Sequence, residues 1–79
     1  MFKNYVYFVQ DCNSPDPYDF GIRFTSLKKA VAYAIESKNT AFLIHNGAFN
    51  FDYYHYGDTF ETLYARCKAM EKEWWARFQ

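Results

Sequence analysis

The chain has 79 residues, which is enough for one small domain spanning residues 1–79, and a chain this short buries only ~60% of its unfolded surface. Eight tyrosines, nine phenylalanines and two tryptophans supply bulky core material, since each ring can bury ~150–250 Å². Nine basic and nine acidic residues cancel, which argues against a non-specific nucleic-acid binder and against an acidic mimic of DNA.

The same composition bears on location and cofactors. The N-terminal residues contain no long apolar run and no small-residue cleavage site, and no stretch approaches the ~20 apolar residues of a membrane span. Cys12 and Cys67 are too few for a disulfide framework and share no metal-ligand spacing. We therefore expect a cytoplasmic protein with two reduced thiols, no metal, no cofactor and no membrane partner.

The N-terminal third predicts two strands. Residues 4–11, NYVYFVQD, are rich in β-branched and aromatic residues, and Pro15 and Pro17 place a turn-rich loop after them. Residues 20–25, FGIRFT, alternate apolar and other residues with the period of two that marks a half-buried strand. We expect the helix-facing side chains to be Val6, Phe8, Phe20, Ile22 and Phe24. The side chains pointing away are then Tyr5, Tyr7 and Val9.

A helix is predicted next, with Ser26 or Thr25 as its N-cap. Apolar residues recur at helical spacing from Leu27 to Ile35, so one stripe of this helix faces the core. The helix is expected to end near residues 37–39.

Residues 40–45, TAFLIH, predict a third strand, and Asn46-Gly47 after it predicts a two-residue type I′ turn. Such a turn pairs Ile44 with Phe49 across a hairpin, which segregates the side chains. The core-facing set is expected to be Phe42, Ile44, Phe49, Phe51 and Tyr53. The opposite set is Leu43, His45, Asn50, Asp52 and Tyr54.

The last predicted element is a helix starting at Asp58, with Asp58 and Glu61 as a capping-box-like pair. Its apolar stripe consists of Phe60, Leu63, Tyr64, Cys67, Met70, Trp74 and Phe78. Glu71 falls inside this stripe, and a buried unpaired carboxylate is costly. We therefore expect the C-terminal part of this helix to be incompletely covered by the domain.

The element order is β-β-α-β-β-α. It predicts an α+β fold, in which two helices pack on one face of a four-stranded, mainly antiparallel sheet. The other face of that sheet stays open, and the sequence leaves the strand order undetermined.

Two surfaces carry more aromatic residues than the core needs. The first is the open sheet face, with Tyr5, Tyr7, Arg23, His45 and Tyr54. Such residues stack bases in RNA-binding sheets and equally anchor protein interfaces, or they shield the sheet and bind nothing. The second is the helix tip, with Trp74, Trp75 and Phe78. The tip either contacts a partner or folds back over the Pro15–Pro17 loop and completes the core.

The sequence contains no recognisable catalytic motif. His45 and His55 fall on opposite faces of the predicted hairpin, so a shared metal site is not expected. The three glycines are isolated, and no serine lies in a nucleophile elbow. We expect no enzyme and no catalytic residues.

The segments FTSLKKAVAYAIESKN and FLIHNGAFNFDYY, in a tyrosine-rich stand-alone domain, resemble the small proteins that bacteriophages encode against host enzymes or defence systems, anti-CRISPR proteins among them. The resemblance implies a stoichiometric protein inhibitor without a cofactor, acting in the host cytoplasm. Many anti-CRISPR proteins carry strongly charged surfaces, and the neutrality of this chain departs from that pattern.

Three functional hypotheses follow. The first is a protein-binding module that inhibits a host macromolecular complex by steric occlusion. The second is a small RNA- or nucleotide-binding domain that uses Tyr5, Tyr7, Arg23 and Tyr54, a reading that the neutral charge disfavours. The third is a structural homodimer joined through the helix tip.

Overall fold

The computed structural model describes residues 6–16 and 18–77. The strands are β1 (Tyr7–Asp11), β2 (Ile22–Phe24), β3 (Phe42–His45) and β4 (Asn50–Tyr53), and the helices are α1 (Leu27–Ser37) and α2 (Phe60–Ala76). The strands form one antiparallel sheet in the order β2-β1-β3-β4. The predicted α+β fold and its β-β-α-β-β-α order are therefore confirmed.

The face of β1 that packs against the helices is not the face that we predicted. Tyr7 and Val9 are buried in the core beneath the helices, whereas the Phe8 ring stacks on His45 on the other side of the sheet. Alternation could not decide between the faces, because both faces of VYFV are apolar. A buried Tyr7 is accommodated because its hydroxyl donates a hydrogen bond to the Glu71 carboxylate, at 2.5 Å. The outward placement of Tyr7 and Val9 was wrong.

Gly21 redirects the chain just before β2. Its φ is +100°, and a Cβ at this position would lie 2.1 Å from the carbonyl oxygen of Val9. Ile22 pairs with Val9 and keeps the helix-facing side. The ring of Phe20, in contrast, packs against Phe8 on the opposite side. The alternation predicted for residues 20–25 therefore fails at Phe20, because a left-handed glycine interrupts it.

The hairpin between β3 and β4 closes through residues 46–49 rather than through a two-residue turn. The Asn46 side-chain oxygen accepts hydrogen bonds from the N–H groups of Ala48 and Phe49. Gly47 has a φ of +91°, but among the described non-glycine residues only Lys38 has a positive φ. The type I′ prediction was wrong, because the side chain of Asn46 organises a local turn of its own.

The longer loop shifts the hairpin register from the predicted one, by two residues at His45 and by three residues at Ile44 and Leu43. The observed pairs are Leu43 with Tyr53, Ile44 with Asp52, and His45 with Asn50. Phe51 has no partner between the last two pairs, so β4 contains a bulge. Tyr53 is consequently exposed on the side away from the helices, and Tyr54 is buried in the core, the reverse of the prediction.

A polar N-cap residue precedes each helix, but only one of the two uses its side chain to cap the helix. Ser26 is the N-cap of α1, as predicted, and makes no side-chain capping bond within the described residues. The N-cap of α2 is Thr59, which exchanges hydrogen bonds with Thr62. The predicted capping pair of Asp58 and Glu61 was therefore wrong, and Asp58 forms an ion pair instead.

The hydrophobic core lies between the sheet and the two helices. Its buried residues are Tyr7, Val9, Leu27, Ala30, Val31, Ala34, Phe42, Ile44, Phe51, Tyr54, Leu63 and Cys67. Burying an aliphatic or aromatic side chain of this kind stabilises a fold by about 1.5–3 kcal/mol. Both helices contribute to this single core, which explains why one side of the sheet is covered and the other is left to its own side chains.

Candidate interaction surfaces

An aromatic cluster lies on the side of the sheet away from the helices, which we call the open side. The ring of His45 stacks on Phe8 with centroids 5.1 Å apart, and the Phe20 ring meets His45 edge-on at 6.2 Å. His45 is buried within this cluster although it lies away from the helices. Aromatic side chains thus provide the cover that a second layer of secondary structure would otherwise give.

Both nitrogens of His45 are engaged by backbone groups. The N–H of Gly47 donates to Nδ1 at 2.9 Å, and Nε2 lies 3.0 Å from the carbonyl oxygen of Phe20. Because Nδ1 accepts, the imidazole proton is on Nε2 and is donated to Phe20. His45 therefore ties the segment before β2 to the loop after β3, and its role is to position Phe20.

The five residues predicted for the open sheet face do not form one surface. Tyr7 and Tyr54 are buried in the helix-side core, so their assignment to that face was wrong. Arg23 is exposed and lies opposite Phe8 in the sheet register. His45 is on the open side but buried. Tyr5 lies outside the described residues.

Exposed apolar side chains are concentrated at the β2 edge of the sheet. Tyr18, Phe20 and Ile22 are 86%, 58% and 47% exposed, and we call these three residues the edge patch. Sequence reasoning missed the patch because it assigned Phe20 and Ile22 to the core. The signal available was Gly21 between them, since a glycine inside a strand pattern marks a bulge, a bend or a close backbone approach.

The edge patch is built on a constrained backbone. The Asp19 side chain accepts a hydrogen bond from the Gly21 N–H at 2.9 Å, and its other oxygen accepts one from the Ser14 hydroxyl at 3.2 Å. The carbonyl of Phe20 is held by His45. These contacts fix the direction of Phe20 from both sides, so its ring is exposed in a defined orientation.

The helix tip is only partly accessible. Trp75 is 38% exposed, and Trp74 is half-buried with its ring centroid 4.7 Å from that of Trp75. The guanidinium of Arg77 lies 5.2 Å from the centre of the Phe49 ring, which brings the end of α2 to the hairpin loop. Phe78 lies outside the described residues.

Glu71 itself is buried on the helix side, although most of α2 after it is exposed, as expected for a segment that the domain covers incompletely. Its carboxylate accepts the hydrogen bond from the Tyr7 hydroxyl and lies 3.3 Å from the Lys68 ammonium. The sequence analysis missed this partner because it pointed Tyr7 to the other side of the sheet. A paired carboxylate avoids most of the cost of burial.

A cleft of about 780 Å³ runs along α2 beside the Tyr7–Glu71 pair. Its lining residues come from β1 and from one side of α2, and they are Tyr7, Ala65, Lys68, Ala69, Glu71, Lys72 and Trp75. Of the predicted helix-tip residues, Trp75 thus contributes to a concave surface. Concave surfaces of this size are where proteins commonly bind ligands or partner side chains.

An ionic clamp fastens α2 to the end of β4. Arg66 donates two hydrogen bonds to Asp58, both at 2.8 Å, and a third to Asp52 at 2.9 Å. The hydrogen bonds that Arg66 donates to Asp58 hold the pKa of Asp58 well below its ordinary value, and the same bonds raise the pKa of Arg66. Bidentate pairs of this kind fix geometry as well as charge.

The part of the chain that the structure describes contains no group of three histidine, cysteine, aspartate or glutamate side chains arranged to hold a metal ion. Burial raises the pKa of the Cys67 thiol to about 12, and Cys12 is exposed. Among residues 6–16 and 18–77, no helix combines the length and apolarity needed to cross a membrane.

Comparisons with protein-family models, with curated proteins and with solved structures find no match to this chain.

Proposed function

We propose that this domain is a non-enzymatic protein-binding module that contacts its partner through the edge patch. The observation that carries the proposal is the exposure of three large apolar side chains within five consecutive residues, at Tyr18, Phe20 and Ile22. Single exposed hydrophobic residues are ordinary, whereas three in one short segment at the edge of the sheet offer a partner apolar area on both sides of β2.

The constrained backbone around Phe20 supports this assignment. Rings that anchor protein interfaces contribute most when they lose little conformational freedom on binding. The carbonyl of Phe20 is held by His45, and Gly21 lies against the β1 backbone. The Phe20 ring is therefore already oriented for contact in the free domain.

A protein partner is favoured over RNA. Two of the four residues that were predicted to bind nucleic acid, Tyr7 and Tyr54, are buried in the core and present no ring face for base stacking. Arg23 remains exposed near the edge patch. The formal net charge is zero, which gives little attraction to a phosphate backbone.

The finer proposal is that binding inhibits a host macromolecular complex stoichiometrically, by steric occlusion. Its support is the resemblance to small phage-encoded inhibitors, together with an apolar surface suited to tight contact. Steric occlusion needs no chemistry from the domain beyond complementarity to its partner. It therefore requires a defined stoichiometry and complete inhibition at saturation.

The test is capture of host proteins on the immobilised domain, with the double variant Phe20→Ser and Ile22→Ser as the probe of the edge patch. We expect a protein retained by the wild type to be lost with this variant, because aromatic anchors contribute about 2 kcal/mol or more each. The complex is then reconstituted from purified components, and its stoichiometry is measured by light scattering.

The matched control is Tyr56→Ser, which removes an exposed ring, 92% accessible, from the loop between β4 and α2. This control should retain the partner. Equal retention by all three proteins would refute the edge patch as the binding surface. Recovery of nuclease-sensitive RNA by the wild type would support the RNA-binding hypothesis, and a dimer formed by the isolated chain would support the structural one.

A further inference from the structure

The cleft along α2 exists because two alanines leave room between larger side chains. Ala65 and Ala69 are one helical turn apart on the same side of α2, and both are exposed. Trp75 is an aromatic wall further along the same side of the helix. This shape provides an apolar shelf with an indole at one end, which suits a partner's aliphatic or aromatic side chain.

The buried end of the cleft contains a carboxylate that already has partners within the domain. Glu71 accepts the Tyr7 hydroxyl hydrogen bond, so its carboxylate is satisfied from within the domain. The second oxygen of Glu71 lies 3.3 Å from Lys68. About half of the Lys68 side chain is exposed, so its ammonium can contact a ligand at the cleft rim while it stays beside Glu71.

The rim of the cleft carries uncompensated positive charge. Lys68 and Lys72 lie four residues apart on the same side of α2 and line the cleft together with only one acidic residue, Glu71. Lys72 is exposed, and the ion pairs among the described residues do not include it. In a chain without net charge, this local excess of one positive charge favours an anionic group over a cationic one.

We propose that the cleft binds an acidic peptide segment of the protein partner, in which a carboxylate neighbours an apolar side chain. The carboxylate lies between Lys68 and Lys72, and the apolar side chain rests on Ala69 against Trp75. The proposal deepens the protein-binding function proposed above and rests on it. It gives the domain a second contact, at α2, whose chemistry differs from that of the uncharged edge patch.

The test uses two blocked synthetic peptides, Asp-Phe-Asp-Leu and its uncharged analogue Asn-Phe-Asn-Leu, titrated into the isotope-labelled full chain. We expect the acidic peptide to shift the backbone NMR signals of Ala65 and Ala69 and the indole signal of Trp75. Its affinity should exceed that of the analogue about threefold at low ionic strength, and added salt should reduce the difference.

Two variants with matched controls complete the design. Lys72→Gln should remove most of the preference for the acidic peptide, whereas Lys29→Gln, the same charge change on α1, should preserve it. Ala69→Leu fills the shelf and should weaken binding about tenfold, whereas Ala32→Leu at an exposed position of α1 should not. These substitutions use exposed helix positions and residues with good helix propensity, so the fold should be retained.

Absence of cleft shifts at about 10 mM acidic peptide, or equal affinity for both peptides, would overturn the proposal. Partner capture distinguishes this failure from failure of the proposed function. A partner that requires the edge patch but binds Ala69→Leu and Lys72→Gln normally would leave the protein-binding function standing without the cleft contact. A partner weakened by these two variants and unaffected by their controls would support both proposals.

Discussion

The two sides of the sheet are buried by different means. On the helix side, Val9 and Ile44 lie under two helices in a continuous core. On the open side, Leu43 and His45 are only 4% and 5% exposed, yet neither belongs to that core. The ring of Phe8 stacks on His45, and Leu43 lies between Gln10 and Tyr53 in the sheet register.

This difference separates stability from recognition. The helix side gains its stability from interlocking elements, so a change there affects the whole fold. The open side is covered by single side chains that are themselves partly exposed, so the same rings can shield the sheet and contact a partner. Gly21 lies where the chain passes between the two sides of the sheet, because it turns Phe20 to the open side and leaves Ile22 on the helix side.

The strongest test of the comparison is therefore Gly21→Ala. The added Cβ would lie 2.1 Å from the Val9 carbonyl oxygen, and the φ of +100° is unfavourable for any L side chain. We expect a loss of about 3 kcal/mol or more, which would leave a domain of this size largely unfolded. The measurement is urea denaturation followed by tryptophan fluorescence.

Gly57→Ala is the matched control for that substitution. Its φ of +92° is nearly the same, but a Cβ there meets nothing within 4 Å, so only the backbone strain of about 1–2 kcal/mol is expected. Equal losses at the two glycines would mean that the contact between residue 21 and β1 is not tight. The junction between the two sides of the sheet would then be wrongly described.

The second prediction compares neighbouring residues of β3. Ile44→Ala removes a fully buried side chain from the helix-side core and should cost about 3–4 kcal/mol. Leu43→Ala should cost about 2 kcal/mol, because the side chains that cover it can move into the space. Urea denaturation of both variants provides the measurement. A larger loss at Leu43 would show that the open side is packed as rigidly as the helix side.

The third prediction concerns the polar pair inside the helix side. Tyr7→Phe removes the hydroxyl that donates to the buried Glu71 and should cost about 1–3 kcal/mol. Glu71→Gln should cost less stability in the Tyr7→Phe variant than in the wild type, because the two groups interact. A double-mutant cycle by urea denaturation measures this coupling. Additive effects would contradict a direct hydrogen bond.

The sequence was sufficient to predict the architecture but not the side-chain directions. Hydrophobic periodicity and turn residues located six elements in the right order, because these signals are local. The faces of β1 could not be predicted, since Tyr7 and Phe8 are both large and apolar, and the partner of Tyr7 lies 64 residues away on α2. The hairpin register failed because the Asn46 side chain replaces a backbone turn.

The candidate surfaces were predictable to different extents. Trp75 falls at the edge of the helical stripe, and periodicity alone marks such a residue as partly exposed. The edge patch was missed because a three-residue edge strand has a neighbour on one side only, and strand order is a property of the whole chain. The cleft depends on small residues in α2, which periodicity cannot distinguish from ordinary surface alanines.

The fourth prediction tests the clamp that fastens α2 to β4. Hydrogen bonds from Arg66 lower the pKa of folded Asp58 below its ordinary value of 3.8, so the clamp stabilises the fold above that pH. As the pH drops below about 4, protonation of Asp58 should lower the free energy of unfolding by about 1 kcal/mol. The expected loss is this small because Arg66 is partly exposed to solvent. Asp58→Asn should be less stable at neutral pH and show a flatter acid dependence in urea titrations. Parallel curves for the two proteins would exclude Asp58 as the source.

The last prediction compares the two thiols. Cys67 is fully buried on the helix side, and burial raises its pKa to about 12, so almost none of it is thiolate at neutral pH. Cys12 is exposed. A disulfide reagent at neutral pH should therefore modify Cys12 quickly, while Cys67 should react only as the domain opens, at a rate that rises with urea. Cys12→Ser isolates the slow phase. If its remaining thiol reacts at the rate of an unfolded peptide in the absence of urea, the helix side does not exclude solvent, and the distinction between the two sides of the sheet fails.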